Sequence, residues 1–244
     1  MARFIWAGES HLLVEFGREL DPADNRNVHN LAARLLAMKL PGIRECVPAF
    51  GSLMISLEPM AISGEEIVAL CDRIIDAGCD DQGAPPLVME IPVLYGGDFG
   101  PDLQDVADET GLSEEEVILL HTEQPYLVYM IGFMPGFAYL GGVNARLYVP
   151  RLQKPRTKVP SGSVAIAERF TGIYPINSPG GWRLIGRTPL PLFMPEQEMP
   201  TLLRPGQYVR FVAVDARQYA SIESDVAASR YAPTVYLQSR GGTA

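Results

Sequence analysis

Five cationic side chains stand among prolines and glycines in the middle of this 244-residue chain: Arg151, Arg156, Lys158, Arg183 and Arg187. Proline precedes Arg151 and Arg156, and Val159-Pro160 follows Lys158, so a stiff backbone carries each head group. Arg183 and Arg187 flank Ile185-Gly186, just after the turn Pro179-Gly180-Gly181. A guanidinium grips a carboxylate or phosphate through two parallel bonds, which lysine cannot do. From Arg146 to Arg187 there are eight basic side chains and one acid, Glu168, in a protein of formal net charge -9. Such a cationic region suits an anionic small molecule or an acidic partner surface. His121, beside Glu123, is a group that exchanges protons near neutrality. Phe133, Phe137 and Tyr139 alternate with small residues as pocket walls would, and Ser163 and Tyr174 can donate to a bound carbonyl or carboxylate. A structural alternative stands beside each of these: an internal ion pair for an arginine, a helix-terminal hydrogen bond for His121, core filling for the aromatics.

Other chemistries are poorly supported. Cys46, Cys71 and Cys79 are odd in number and widely spaced, and His11, His29 and His121 show no ligand spacing with them, so neither a zinc site nor a cysteine enzyme is indicated. No metal ligand set is expected. The sequence holds no GxxxxGK[ST] or GxGxxG loop and no GxSxG elbow. An excess of acids, 29 against 20 basic groups, disfavours nucleic-acid binding. The stretch from Leu103 to His121 imitates a helix-turn-helix, yet its second helix opens Glu114-Glu115-Glu116 and it carries no Arg or Lys. It is expected to be a helical insert packed by Val106, Val117 and Leu120. With no leader pattern and no apolar run of spanning length, the expected compartment is cytoplasmic.

Positioning the cationic region calls for many short strands. From Gly132 to Pro191 there are nine glycines and eight prolines, separated by short apolar pieces, which points to a compact barrel or sandwich. Ahead of it the order reads β-β-α-β-β-α. Asp21-Pro22 opens one helix with Val28, Leu31, Ala32, Leu35 and Leu36 on its apolar face. Ser63 and Glu66 form a capping box for another, with Gly78 as its stop. A further strand, Val88 to Val93, suits the small α/β sandwich these pieces make. The chain is thus expected to be α+β: residues 1–84 as an α/β sandwich, 85–230 as the β-rich domain, and 231–244 as a loose tail. The junction is placed in polar Asp80 to Pro86.

Four segments carry a resemblance: PVLYGGDFGPDL (Pro92 to Leu103), GFMPGFAYLGG (Gly132 to Gly142), PRLQKPRTKVPSGSVAIA (Pro150 to Ala167) and TGIYPINSPGGWRLIGRTP (Thr171 to Pro189). In this order they resemble the signature segments of the 5-oxoprolinase B-subunit family, which also contains the kinase inhibitor KipI and was formerly called allophanate hydrolase subunit 1. One turn departs from the family pattern, with Gly8-Glu9-Ser10 where Gly-Asp is usual. The resemblance implies a cyclophilin-like barrel for the second domain. It implies a cytoplasmic complex with subunits A and C that opens 5-oxo-L-proline to L-glutamate, using ATP and releasing ADP and phosphate. ATP binding is then a property of the assembled complex, with no tightly bound cofactor expected for this chain. Within that chemistry His121, Arg156, Lys158 and Arg183 are the catalytic candidates. Arg187, Arg151, Tyr139, Phe137, Ser163 and Tyr174 are the substrate-binding ones. If Arg156 and Arg183 grip an anion, their replacement by lysine is expected to lower kcat/KM about ten- to a hundredfold.

Two other functions stay open at this point. KipI-like members bind a sensor histidine kinase and inhibit its autophosphorylation. Related modules form the carboxyltransferase part of urea amidolyases, although this chain has no biotinyl Met-Lys-Met segment.

Overall fold

A computed structural model describes residues 2–78 and 86–238. The chain divides into two compact units, Met1–Ala84 and Pro85–Ala244. The junction expected at Asp80 to Pro86 lies, except for Pro86, outside the described residues, as does Cys79.

In the first unit a hairpin of β1 (Arg3–Trp6) and β2 (His11–Glu15) leads into α1 (Pro22–Ala37). A second hairpin, β3 (Ile43–Pro48) and β4 (Ser52–Leu57), leads into α2 (Gly64–Asp76). The strands form one antiparallel sheet in the order β1-β2-β4-β3. Alternation along β2 and β4 turns Leu12, Val14, Leu53 and Ile55 to one face, where Val28, Leu31, Leu35, Ile67 and Cys71 of the helices cover them. The Asp21 carboxylate accepts from the Ala23 and Asp24 N–H groups, and Ser63 and Glu66 cap α2 reciprocally. Leu36, expected on the buried face of α1, is 53 % exposed, because the apolar stripe passes one residue before it.

The second unit begins with β5 (Leu87–Tyr95), α3 (Leu103–Thr110), α4 (Glu114–Thr122), β6 (Tyr126–Ile131) and β7 (Ala138–Gly141). After a short 3₁₀ turn come β8 (Arg156–Val159), β9 (Ser163–Ala167), β10 (Phe170–Ile173), β11 (Ser178–Gly180) and β12 (Arg183–Arg187). β13 (Tyr208–Ala213), α5 (Ala216–Ala227) and β14 (Val235–Leu237) finish it. Seven strands close in the order β12-β9-β10-β7-β6-β13-β5, with β5 returning to β12 through the pairs Gly186↔Tyr95 and Arg187↔Leu94. This is the α+β architecture with a cyclophilin-like barrel that the resemblance implies. Gly186 makes the closure sterically possible, since a Cβ there would lie 2.6 Å from Val93 Cγ1 and 2.9 Å from the Leu94 carbonyl oxygen.

β5 belongs to this barrel and not to the first sheet, where the sequence had suited it. It runs parallel to β13, and Ile91 and Val93 fill the barrel core. A run such as Val-Met-Glu-Ile-Pro-Val satisfies either sheet locally; only the distant β13 decides. The helical insert packs as expected, with Val106, Val117 and Leu120 in the same core. Gly111 ends α3 at φ 70°, and Ser113 and Glu116 box the start of α4. The expected loose tail is corrected by β14, which pairs Val235, Tyr236 and Leu237 with Met89, Val88 and Leu87 of β5. Three residues are too few to show a period, so nothing local announced that strand. Residues 239–244 lie outside the described range.

Candidate functional site

α4 drives the His121 imidazole into the barrel core, where the residue is fully buried. Its Nδ1 lies 2.8 Å from the Tyr95 hydroxyl and its Nε2 lies 2.8 Å from Thr171 Oγ1. Thr171 donates its only hydroxyl proton to the Ala165 carbonyl at 3.1 Å. The network therefore assigns the proton to Nε2, and Nδ1 accepts from Tyr95. Phe211 stacks on the ring at 4.5 Å, and the Tyr126 hydroxyl donates to the His121 carbonyl at 2.9 Å. Burial pushes the imidazole down to about 3. A ring neutral to that pH, with both nitrogens bonded inside the core, is a structural plug near neutrality. Glu123, which lies beside His121 in sequence, accepts from Asn144 at 3.1 Å.

Two of the cationic candidates are occupied by acids of this chain. Arg156 forks onto Asp102 through bonds of 2.9 and 2.6 Å, and Asp102 also accepts from the Leu184 N–H at 2.6 Å. Arg183 donates to Glu109 at 3.0 Å and to the Pro150 carbonyl at 3.3 Å, with Asp105 at 3.7 Å. Asp102, at the residue before α3, and Asp105 and Glu109 within it follow one another at about one turn, so one side of that stretch neutralises both arginines. Sequence reasoning did not single out these three acids; the acids it used were Glu114 to Glu116 of the next helix. Lys158 is exposed on β8. Arg187 holds its guanidinium carbon 5.1 Å from the Phe99 ring centre, and its register partner on β9 is Ser163. Both the Arg187 Nε and the Ser163 Oγ are buried without a hydrogen-bond partner among the described residues.

The remaining candidates converge. Phe137, Tyr139, Arg151 and Tyr174 line one cleft of about 290 Å³, together with Phe133, Leu152, Pro155 and Trp182 and the turn Pro179-Gly180-Gly181. It lies on the outer face of the barrel, because Phe137 and Tyr139 alternate with Ala138 and Leu140, which point into the core. Phe137 is the hub, edge-on to Tyr139, Tyr174 and Trp182 at 5.1, 5.3 and 5.3 Å. Gly180 is required beneath the turn, as a Cβ there would strike the Tyr174 hydroxyl. Burial raises the Tyr139 and Tyr174 phenols; a hydrogen bond from the Trp182 backbone and then the Arg151 charge pull Tyr174 part of the way back, and the Arg151 charge does so for Tyr139. Among the described residues Arg151 is paired with Glu168 at 3.5 Å, both side chains being mostly exposed. Phe133 forms an exposed lip with its backbone at φ 68°. Sequence reasoning missed Trp182, whose signal was its place directly after Gly180-Gly181. Arg156, Arg183, Arg187, Lys158, Ser163 and His121 do not line the cleft.

Among the described residues no group of three or more His, Cys, Asp or Glu is placed to hold a metal ion. None of the described helices is long and apolar enough to cross a membrane.

Comparison with known proteins gives these arrangements a family. The model of the carboxyltransferase domain, subdomain C and D, matches residues 2–203. The B subunit of 5-oxoprolinase from Bacillus subtilis is 42% identical over 228 residues, covering 89% of this chain and 95% of that protein. The crystal structure of TTHA0988 is similar with a TM-score of 0.75 and 38% identity over 88% of this chain, which spans 40% of that longer one. Kluyveromyces lactis urea carboxylase shares the fold alone, with a TM-score of 0.78 at 18% identity over 97% of this chain and 24% of its own. Identity of this extent, along nearly the whole of a known B subunit, means that the chain belongs to the 5-oxoprolinase B-subunit family.

Proposed function

We propose that this chain is the B subunit of a cytoplasmic 5-oxoprolinase, working with subunits A and C to convert 5-oxo-L-proline and ATP into L-glutamate, ADP and phosphate. The observation that carries the proposal is the match to a known B subunit along 95% of that subunit's length. The chemistry explains why several chains would share the work. A lactam amide is unreactive to water, and phosphorylation of its carbonyl oxygen turns that oxygen into a leaving group. Charge developing on the way to the open acid needs donors fixed in advance. This chain offers an aromatic cleft with one guanidinium and two protonated phenols, while its sequence has no phosphate-cradling loop. A partner would bring ATP to the lactam.

The experiment compares the pure chain with the chain co-purified with subunits A and C, following phosphate and glutamate. Glutamate formation should need ATP and all three chains. Turnover by this chain alone would overturn the proposed division of labour. A second reading, a carboxyltransferase-type module, is favoured by the family model over residues 2–203. It predicts carboxyl transfer from biotin and no glutamate. A KipI-like role predicts instead inhibition of sensor-kinase autophosphorylation by the chain without subunits A and C.

A further inference from the structure

The aromatic cleft on the barrel's outer face is chemically one-sided. Its walls are flat rings, its volume of about 290 Å³ suits a small molecule, and Arg151 is the one charged residue among the described residues that line it. The neighbouring cations that would compete for an anion, Arg156 and Arg183, are already neutralised by Asp102, Asp105 and Glu109. Arg151 differs from both, since its ion pair is a long one to the exposed Glu168, which a ligand can replace. A single guanidinium matches a single carboxylate. A nucleotide would bring several negative charges to a place with one cation and no basic loop around the phosphates.

We propose that this cleft binds a small cyclic monocarboxylate, its ring on Trp182 and Phe137 and its carboxylate gripped by Arg151. Among such acids 5-oxo-L-proline is the one the proposed function supplies, and the choice of the lactam rests on that reading. Tyr139 and Tyr174 line the same cleft, and burial raises both phenols, so neither adds a negative charge that would repel an anion. Trp182 offers the widest face for a flat ring. Gly180 and Gly181 keep the turn beside it free of side chains.

The two tryptophans of the chain, Trp6 and Trp182, make the test direct. Trp6→Phe leaves Trp182 as the sole reporter, and the full-length variant is titrated with 5-oxo-L-proline, cyclopentanecarboxylate and 2-pyrrolidinone. The two acids should give saturable changes in Trp182 emission, and the uncharged lactam should not. Equilibrium dialysis with labelled 5-oxo-L-proline checks the same constant without the reporter. Arg151→Gln should weaken acid binding at least about tenfold with an unchanged melting curve, while Lys154→Gln, at an exposed neighbouring position, should leave it within about twofold. Equal binding by Arg151→Gln and the parent overturns the proposal. If the chain binds no acid by either method, the KM of the reconstituted complex decides, and an unchanged KM for 5-oxo-L-proline in Arg151→Gln overturns it too. Full turnover with that result would leave the proposed function standing. Binding at the cleft without turnover by the complex would sink that function and keep the cleft.

Discussion

Taking away the Arg156 guanidinium leaves behind a carboxylate whose side chain is 4% exposed and whose remaining donor is the Leu184 N–H. Stranding a buried charge typically costs about 3–5 kcal/mol, so Arg156→Met should lower the urea midpoint and Tm sharply. Adding Asp102→Leu removes the stranded group and should recover most of the loss; a double variant no more stable than the single would rule out this account. The lysine substitutions that sequence reasoning tied to an anion are thus expected to act through stability at Arg156. His121 supplies a second expectation. Its folded pKa of about 3 is below the unfolded value, so the protein gains stability from it above the unfolded value. That stability is lost as pH falls from about 6.5 towards 3, at about 1.4 kcal/mol per pH unit. Urea unfolding at several pH values should show this slope in the parent and not in His121→Gln, once the shared carboxylate contribution is subtracted. At this scale Phe137, Tyr139, Arg151 and Tyr174 could be chosen from sequence because pocket walls and core fillers are the same residues here. Choosing among the arginines was beyond it, since their partners stand 54 and 74 residues away.

Strands and helices were legible where their signals are local. Asp21 and Ser63 each cap the helix that follows, as their sequence signals indicated, and alternation in β2 and β4 set their faces; the Asp215 cap of α5 was not read from the sequence. What escaped was membership: β5 had a strand's composition but no mark of its sheet, and β14 had no period at all. The seam between β5 and β12 is a test of packing at this scale. Gly186→Ala puts a methyl group against Val93 and Leu94, an overpacking that should cost about 1–3 kcal/mol and lower Tm accordingly. Gly181→Ala, whose nearest neighbour would be Pro155 Cγ at 3.5 Å, should melt with the parent. Equal melting of all three proteins would mean that the seam yields more readily than its geometry implies.

Each unit has a core of its own. The cluster built on Leu12, Val28 and Ile67 draws only on residues before the junction, and the clusters of Ile91 and Phe137 only on residues after it. The sequence conveyed this two-part order through a change in composition, from helical periods to a crowd of glycines and prolines. The barrel unit also has a topological property that follows from β14. β12 takes the far half of one edge of β5, and β14 takes the near half, so the first and last strands of the unit lie side by side. The Gln238 N–H donates to the Pro86 carbonyl at 2.9 Å, which brings the chain's way in and its way out of the unit to one spot. A domain with neighbouring termini can be spliced into a longer polypeptide without straining its fold. The property can be tested by circular permutation of residues 86–238, joining 238 to 86 through a short glycine linker and opening the exposed loop between Gln197 and Glu198. The permuted unit should melt cooperatively and keep the far-UV spectrum of the unpermuted one, and a molten or aggregated product would show that the joint carries strain.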